Sequence, residues 1–165
     1  MKRTIRLASE HDLDGLRGLD DVPSREDWLN KIACREVIVA DQGPIVGVMR
    51  FEILWSTVPF LSFILVDGAH RRLGISRELL AFTEQELTRR GYVAMLSSSQ
   101  TDEPHAQRWH LHMGFHTNGI IENIAEEGIG EVVFRKLLTP PDKAAPPATG
   151  ATPSQPPSQP PNPAP

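Results

Sequence analysis

Between Phe60 and Leu80 the chain runs from an apolar stretch, through His70-Arg71-Arg72-Leu73-Gly74-Ile75-Ser76, into a helical pattern. These residue types in this order suit anion chemistry. A helix start exposes backbone N–H groups without partners and the positive end of the helix dipole. A pyrophosphate fits such a junction without further ligands. Gly74 would let the backbone approach the phosphates, and Arg71 and Arg72 add charged donors. The segment is not a P-loop, because the Gly-Lys-Ser/Thr ending is missing, nor a dinucleotide fingerprint, because Gly-x-Gly-x-x-Gly is missing. From these residues alone, an ordinary solvated basic turn is an equal reading.

Other side chains could also do chemistry. Arg50 and Glu52 share one face of an alternating segment. They are either a pair in a substrate cleft or a surface ion pair worth about 0–1 kcal/mol. Glu122 is a weaker candidate base. His105, His110, His112 and His116 lie close in sequence, but residues two apart on a helix face different sides. His112 and His116 are separated by Gly114, where the helix should end. No metal site is expected. The single cysteine, Cys34, excludes an intrachain disulfide framework and a multi-cysteine zinc site. It has no His–acid pattern around it and reads as a packed residue rather than a nucleophile.

The elements that must position these groups follow from periodicity. Thr4–Leu7 reads as a short strand, and Ser9–Leu19 as a helix with Leu13, Leu16 and Leu19 at helical spacing. Ser24-Arg25-Glu26-Asp27 resembles a capping box and opens a second short helix. Glu36–Ala40 is a strand ending at the turn Asp41-Gln42-Gly43. Ile45–Trp55 alternates, with Met49, Phe51, Ile53 and Trp55 on one face and Val48, Arg50 and Glu52 on the other. Phe60–Val66 is nearly all apolar, which predicts a strand buried on both faces. Gly74–Arg90 is a helix stopped by Gly91, Tyr92–Ser97 a strand, and a helix from Pro104 or His105 ends at Gly114. His116–Ile124 and Glu131–Leu137 complete a β-α-α-β-β-β-α-β-α-β-β order.

Composition sets limits. Residues 139–165 hold 11 of the 15 prolines and no Val, Ile, Leu, Met, Phe, Trp or Tyr. They read as a disordered Pro-rich tail, a spacer rather than a polyproline ligand, which leaves 1–138 as the folding unit. No stretch reaches the roughly 18 apolar residues of a membrane span. The N-terminus lacks a signal-peptide apolar region. A formal charge of −4 gives no global attraction for nucleic acid. The expectation is a soluble, cytoplasmic protein without a membrane or nucleic-acid partner.

Val66 through Leu80 resembles the acyl-CoA-binding segment of the GNAT superfamily of N-acetyltransferases. That family's loop reads Gln/Arg-x-x-Gly-x-Gly/Ala, and Arg71-Arg72-Leu73-Gly74-Ile75-Ser76 departs from it only at Ser76, which is still small. Ala106-Gln107-Arg108-Trp109-His110-Leu111-His112-Met113-Gly114-Phe115 resembles the family's Ala-x-x-x-Tyr-x-x-x-Gly-Phe. The likeness covers nearly all of 1–138 in element order. It implies a GNAT-like α/β (α+β) fold, a mixed and mostly antiparallel sheet of about 6–7 strands flanked by helices and splayed at a central parallel pair. It implies acetyl-CoA as acyl donor, held by Leu65, Val66, Arg71, Arg72, Leu73, Gly74, Ile75 and Ser76, without a metal.

The resemblance further implies direct attack of an amine, from a small molecule or a protein, on the thioester. An alkyl ammonium of pKa about 10.4 is neutral in only about one molecule in 10³ at pH 7, so a base is needed. Glu52, directly or through water, is the first choice. Arg50 and Trp55 would lie on the substrate side, though Trp55 could simply be core. His110 stands where many relatives carry a tyrosine that protonates the leaving thiolate. An imidazolium of pKa about 6.5 is able to protonate a thiolate of about 8.5. The alternative role is a module that senses acyl-CoA without turnover. A homodimer is compatible with either.

Overall fold

The structure is a computed structural model and describes residues 2–138. The expected Pro-rich tail lies outside the described residues. The elements are β1 (Thr4–Leu7), α1 (Leu13–Leu19), α2 (Arg25–Ala33), β2 (Val37–Asp41), β3 (Ile45–Leu54) and β4 (Val58–Val66). They continue with α3 (Ile75–Arg89), β5 (Ala94–Gln100), α4 (Pro104–His112), β6 (His116–Glu126) and β7 (Ile129–Leu137).

One seven-stranded sheet runs in the order β1-β2-β3-β4-β5-β7-β6. All neighbours are antiparallel except β4 and β5. Alternation in the strands sorts side chains between two cores. Ile38 and Ala40 of β2 join Met49, Phe51, Leu79, Phe115 and Phe134 under α3 and α4. Val37 and Val39 join Leu16, Trp28 and Val48 under α1 and α2. The expected mixed, helix-flanked sheet is therefore the observed one.

Local chemistry explains the element ends. Asp27 N–H donates to Ser24 Oγ at 3.1 Å, and Ser24 N–H donates back to Asp27 Oδ2 at 3.0 Å. This is the capping box read from sequence, with Asp in place of Glu. Gly47 lets α3 sit close on β3, because a Cβ there would lie 3.1 Å from Ile75 Cγ2 and 3.3 Å from Leu79 Cδ1. The α3 N-terminus is thus set hard against the sheet.

The feature that positions the site is the β4–β5 junction. The two strands pair only at Phe60 with Leu96 and Leu61 with Ser97. Beyond Leu61, β4 continues to Val66 beside β3, while β5 continues to Gln100 beside β7. The register of β3 and β4 shifts between Arg50 and Phe51, which leaves Ser62 as an extra residue in β4. The parallel pair therefore opens into a V.

Four expectations need correction. Phe60–Val66 is not buried on both faces: Ser62 is exposed and Phe63 to Val66 are half-buried, because no strand among the described residues covers the flank that β5 leaves. The helix expected over Ser9–Leu19 is a 3-10 turn at Glu10–Asp12 followed by α1. Trp55 is not on the alternating face of β3. It lies past the strand end at φ 50° and is 80% exposed. The strand expected at Tyr92–Ser97 runs Ala94–Gln100, because Tyr92 and Val93 follow the turn at Gly91 as irregular chain.

Candidate functional site

The loop from Val66 to Ile75 is built to leave backbone donors free. Arg72 and Gly74 both have positive φ, 63° and 78°. Successive N–H groups then turn toward one side, as in an anion-binding nest. Among the described residues, the N–H groups of Arg72, Leu73, Gly74, Ile75 and Ser76 have no intrachain backbone acceptor, whereas Arg77 and Glu78 already donate to Gly74 O. A Cβ on Gly74 would meet nothing within 4 Å. Its φ requires glycine, and the space in front of it is open.

Around this loop is a cavity of about 880 Å³. Its walls are Ile64, Leu65 and Val66 of β4, the loop from His70 to Arg77, and Ala106, Trp109, His110, His112 and Met113 of α4 and its exit. Seven of the eight residues expected at the loop (Leu65, Val66, Arg71, Arg72, Gly74, Ile75 and Ser76) line it, as does His110. Leu73 does not. Its side chain is exposed and its carbonyl accepts from Arg3 at 3.3 Å. Arg71 Nε folds back on Val66 O at 3.4 Å. Ser76 Oγ accepts the Trp109 indole N–H at 3.3 Å, tying α3 to α4 across the cavity. Arg77 and His112 Nε2 make a second tie at 3.0 Å.

His110 is one of the residues that line this cavity. It is buried, its ring parallel to Phe134 at 4.4 Å and edge-on to Trp109 and Phe115. Nδ1 lies 2.8 Å from Ala106 O and Nε2 2.8 Å from Ser97 Oγ. A carbonyl can only accept, so the proton of the neutral ring sits on Nδ1. Burial lowers the imidazole pKa below its usual value, and the Ala106 carbonyl pushes it partly back up.

The residues expected on the acceptor side lie outside this cavity. Glu52 is on the α1–α2 face of the sheet, opposite Phe60 and so beside the point where the V opens. It does not pair with Arg50. Lys31 of α2 donates to it at 2.8 Å, and that bond is the main reason its pKa falls below the ordinary carboxylate value, against burial. Arg50 points to Asp20 at 3.5 Å and is held between the rings of Trp28 and Phe63. The two charges separate because α1 and α2 each bring a partner that local sequence does not show. Trp55 is far out on the β3–β4 turn, Glu122 is exposed on β6, and Cys34 is an exposed free thiol capping α2. Sequence reasoning missed Arg3, Ser97, Trp109 and His112. Ser97 had a signal in the run Ser97-Ser98-Ser99, which places hydroxyls inside a strand.

This geometry has counterparts. The model of the Acetyltransferase (GNAT) family matches residues 5–115. No curated protein matches the sequence. Among solved structures, Ard1 from Thermoplasma volcanium superposes with a TM-score of 0.75 at 16% identity, covering 85% of this chain and 100% of its own. The yncA protein of Salmonella typhimurium, solved with its cofactor acetyl-CoA, gives 0.73 at 19% identity, with 90% and 99% covered. The ribosomal-protein-S18-alanine N-acetyltransferase of Escherichia coli gives 0.66 at 16% identity, with 87% and 99% covered. The structural matches show a shared fold, and the family match spans most of the described chain through both motifs: this protein is a member of the GNAT family of acetyltransferases.

Proposed function

We propose that the protein transfers an acetyl group from acetyl-CoA to an amine by direct attack while both are bound. The observation that carries this is the loop with five successive unpartnered N–H groups, set at the mouth of a V between two parallel strands. The N–H groups and Arg71 and Arg72 suit the pyrophosphate of acetyl-CoA. The half-buried flank of β4 from Phe63 to Val66, which β5 leaves unpaired, suits the amide-bearing pantetheine arm, which would take the place of a neighbouring strand. The yncA complex with acetyl-CoA supports the same donor. No metal takes part in this reading.

Donor and acceptor approach from opposite faces of the sheet. The donor enters from the α3–α4 face, where the cavity lies. The acceptor enters from the α1–α2 face, where Glu52, Arg50 and the segment Leu19–Lys31 stand. Glu52 is held as a carboxylate by Lys31. It attracts the ammonium form and takes its proton, directly or through water. Arg50 orients the acceptor. His110 is the proton source for the departing thiolate. The acceptor is a small-molecule amine or a protein amine; the Escherichia coli protein of similar fold is a ribosomal-protein-S18-alanine N-acetyltransferase.

The test is CoA release from acetyl-CoA against a panel of small amines and peptide N-termini, with mass spectrometry of the products. Acetylated amine with stoichiometric CoA release supports the reading. Binding of acetyl-CoA without turnover on any amine overturns it in favour of a sensor.

A further inference from the structure

Ser97 is the last residue of β5 that pairs with β4, so its side chain stands where the V begins. It is 2% exposed, and it faces the α3–α4 side with His110. Its Oγ lies 2.8 Å from His110 Nε2 and 2.9 Å from Leu61 O. A serine hydroxyl has one proton. Leu61 O can only accept, and Nε2 of the neutral Nδ1–H ring can only accept. One proton therefore faces two acceptors. With neutral His110 the hydroxyl donates to Nε2. With charged His110 the direction reverses: Nε2–H donates to Oγ, and the hydroxyl turns to Leu61 O. Each state is self-consistent, and they differ by rotation of one hydroxyl.

The consequence for catalysis is geometric. Nδ1 is occupied by Ala106 O within α4. The only other ring nitrogen faces Ser97, not the open cavity. A proton leaving His110 toward the V has Ser97 Oγ in its way.

Resting on the reading of His110 as proton source, we propose that Ser97 is a catalytic relay between His110 and the leaving thiolate. As the C–S bond breaks, the Ser97 O–H turns from Leu61 O to the sulfur and gives up its proton there, the Nε2 proton of the imidazolium passes to Ser97 Oγ, and neutral His110 remains. The electron pair of the broken bond becomes the S–H bond, and no other reactant is needed. Bulk water reprotonates His110 for the next cycle. The other imidazoles that line the cavity are engaged elsewhere, His70 Nδ1 with Asp67 at 2.6 Å and His112 Nε2 with Arg77 at 3.0 Å. Of the other side chains on that face, Met95 and Ser99 of β5 and Thr117 of β6 do not ionise in the working range. Lys136 of β7 is engaged with Glu84 of α3 and with Met113 O.

The experiment compares Ser97→Ala and Ser97→Thr with the wild type, using acetyl-CoA and the fastest amine of the panel. The relay predicts that Ser97→Ala keeps its calorimetric affinity for CoA and lowers kcat about 10²-fold, the low end for lost acid catalysis. Ser97→Thr, which keeps the hydroxyl, restores most of it. Adding His110→Phe to Ser97→Ala costs little more, because the two act as one unit. A kcat within twofold of wild type in Ser97→Ala overturns the relay. So does a variant whose CoA affinity falls while kcat holds, which would make Ser97 only a pin of the V.

Ring ¹⁵N NMR of His110 in the CoA complex tests the same bond without turnover. The charged state loses the stronger bond when the hydroxyl is removed. The imidazole pKa should therefore fall by about half a unit or more in Ser97→Ala and return in Ser97→Thr. An unmoved titration in Ser97→Ala overturns the relay even if no amine is acetylated; where Ser97→Ala is too unstable to measure, Ser97→Val against Ser97→Thr reads the same bond at constant side-chain shape. Failure of the amine panel alone, with the titration moving as stated, counts against amine transfer and not against the Ser97–His110 link.

Discussion

Arg3 and Glu78 are joined across 75 residues of sequence: Arg3 Nε donates to Glu78 Oε2 at 2.8 Å, and the same guanidinium donates to Leu73 O at 3.3 Å. Arg3, just before β1, thereby grips both sides of Gly74, the loop on one side and the first turn of α3 on the other. Exposed pairs of this kind contribute about 0–1 kcal/mol. Arg3→Ala should therefore leave the fold intact and loosen the loop. The expected outcome is a rise of about threefold to fivefold in KM for acetyl-CoA, with kcat unchanged. A fall in kcat with unchanged KM would assign Arg3 a different role.

Gly74 separates backbone strain from electrostatics. Any side chain there is strained by the positive φ of 78°, and nothing within 4 Å would clash with its Cβ. Gly74→Ala should cost about 1 kcal/mol of stability and weaken CoA binding modestly. Gly74→Glu adds a negative charge in front of the free N–H groups and should abolish measurable CoA binding in titration calorimetry, with an unchanged circular dichroism spectrum. Equal affinity in the two variants would move the phosphates away from this loop.

His110 makes a signed prediction in pH. Burial lowers its pKa, so the imidazolium fraction falls away at lower pH than for a free histidine at about 6.5. If His110 supplies the proton, kcat should decline as pH rises, along a limb that begins on the acid side of that value. His110→Phe should lose the limb and lower kcat about 10²-fold, whereas His110→Tyr, with a hydroxyl in the same place, should keep substantial activity. Identical pH profiles for wild type and His110→Phe would leave water as the donor.

Two buried carboxylates set the acid limit of the fold. Arg6 holds Asp12 at about 2, and Arg89, with Arg90 and Arg35, holds Glu86 at about 2. Both values lie below the unfolded ones near 4. Their contribution is therefore complete above pH about 4 and is lost as pH falls toward about 2. Asp12→Asn should destabilise the protein by about 2 kcal/mol at pH 7 and by progressively less in acid. Urea denaturation between pH 2 and 7 measures this. A constant difference over that range would show that Asp12 is not ionised differently in the two states.

Much of this fold is legible because its signals are local. The periodicities of α3 and β3, the capping box at Ser24 and the helix stop at Gly91 each depend on neighbours within a few residues. The loop with free N–H groups is legible for the same reason, as Arg71, Arg72 and Gly74 lie within four residues of one another. Partners across the fold were not. Glu52 and Arg50 look like a pair in sequence, yet Lys31 and Asp20 claim them from another layer. Trp55 has the right parity for β3, but parity says nothing about where a strand ends. The environment of His110 comes from β5, α4 and β7 at once, and no single segment announces it.

The V has a mechanical meaning as well. β3 and β4 pair from Gly47 beside Val66 to Leu54 beside Val58, and β5 and β7 along all of Ala94–Gln100, but β4 and β5 pair with each other only at Phe60–Leu96 and Leu61–Ser97. Under load applied across the strands, that short seam is the weakest line of the sheet. A molecule whose amides span the V acts there as a splint. Saturating acetyl-CoA should slow amide exchange on both sides of the seam, and should raise the force at which the two halves part.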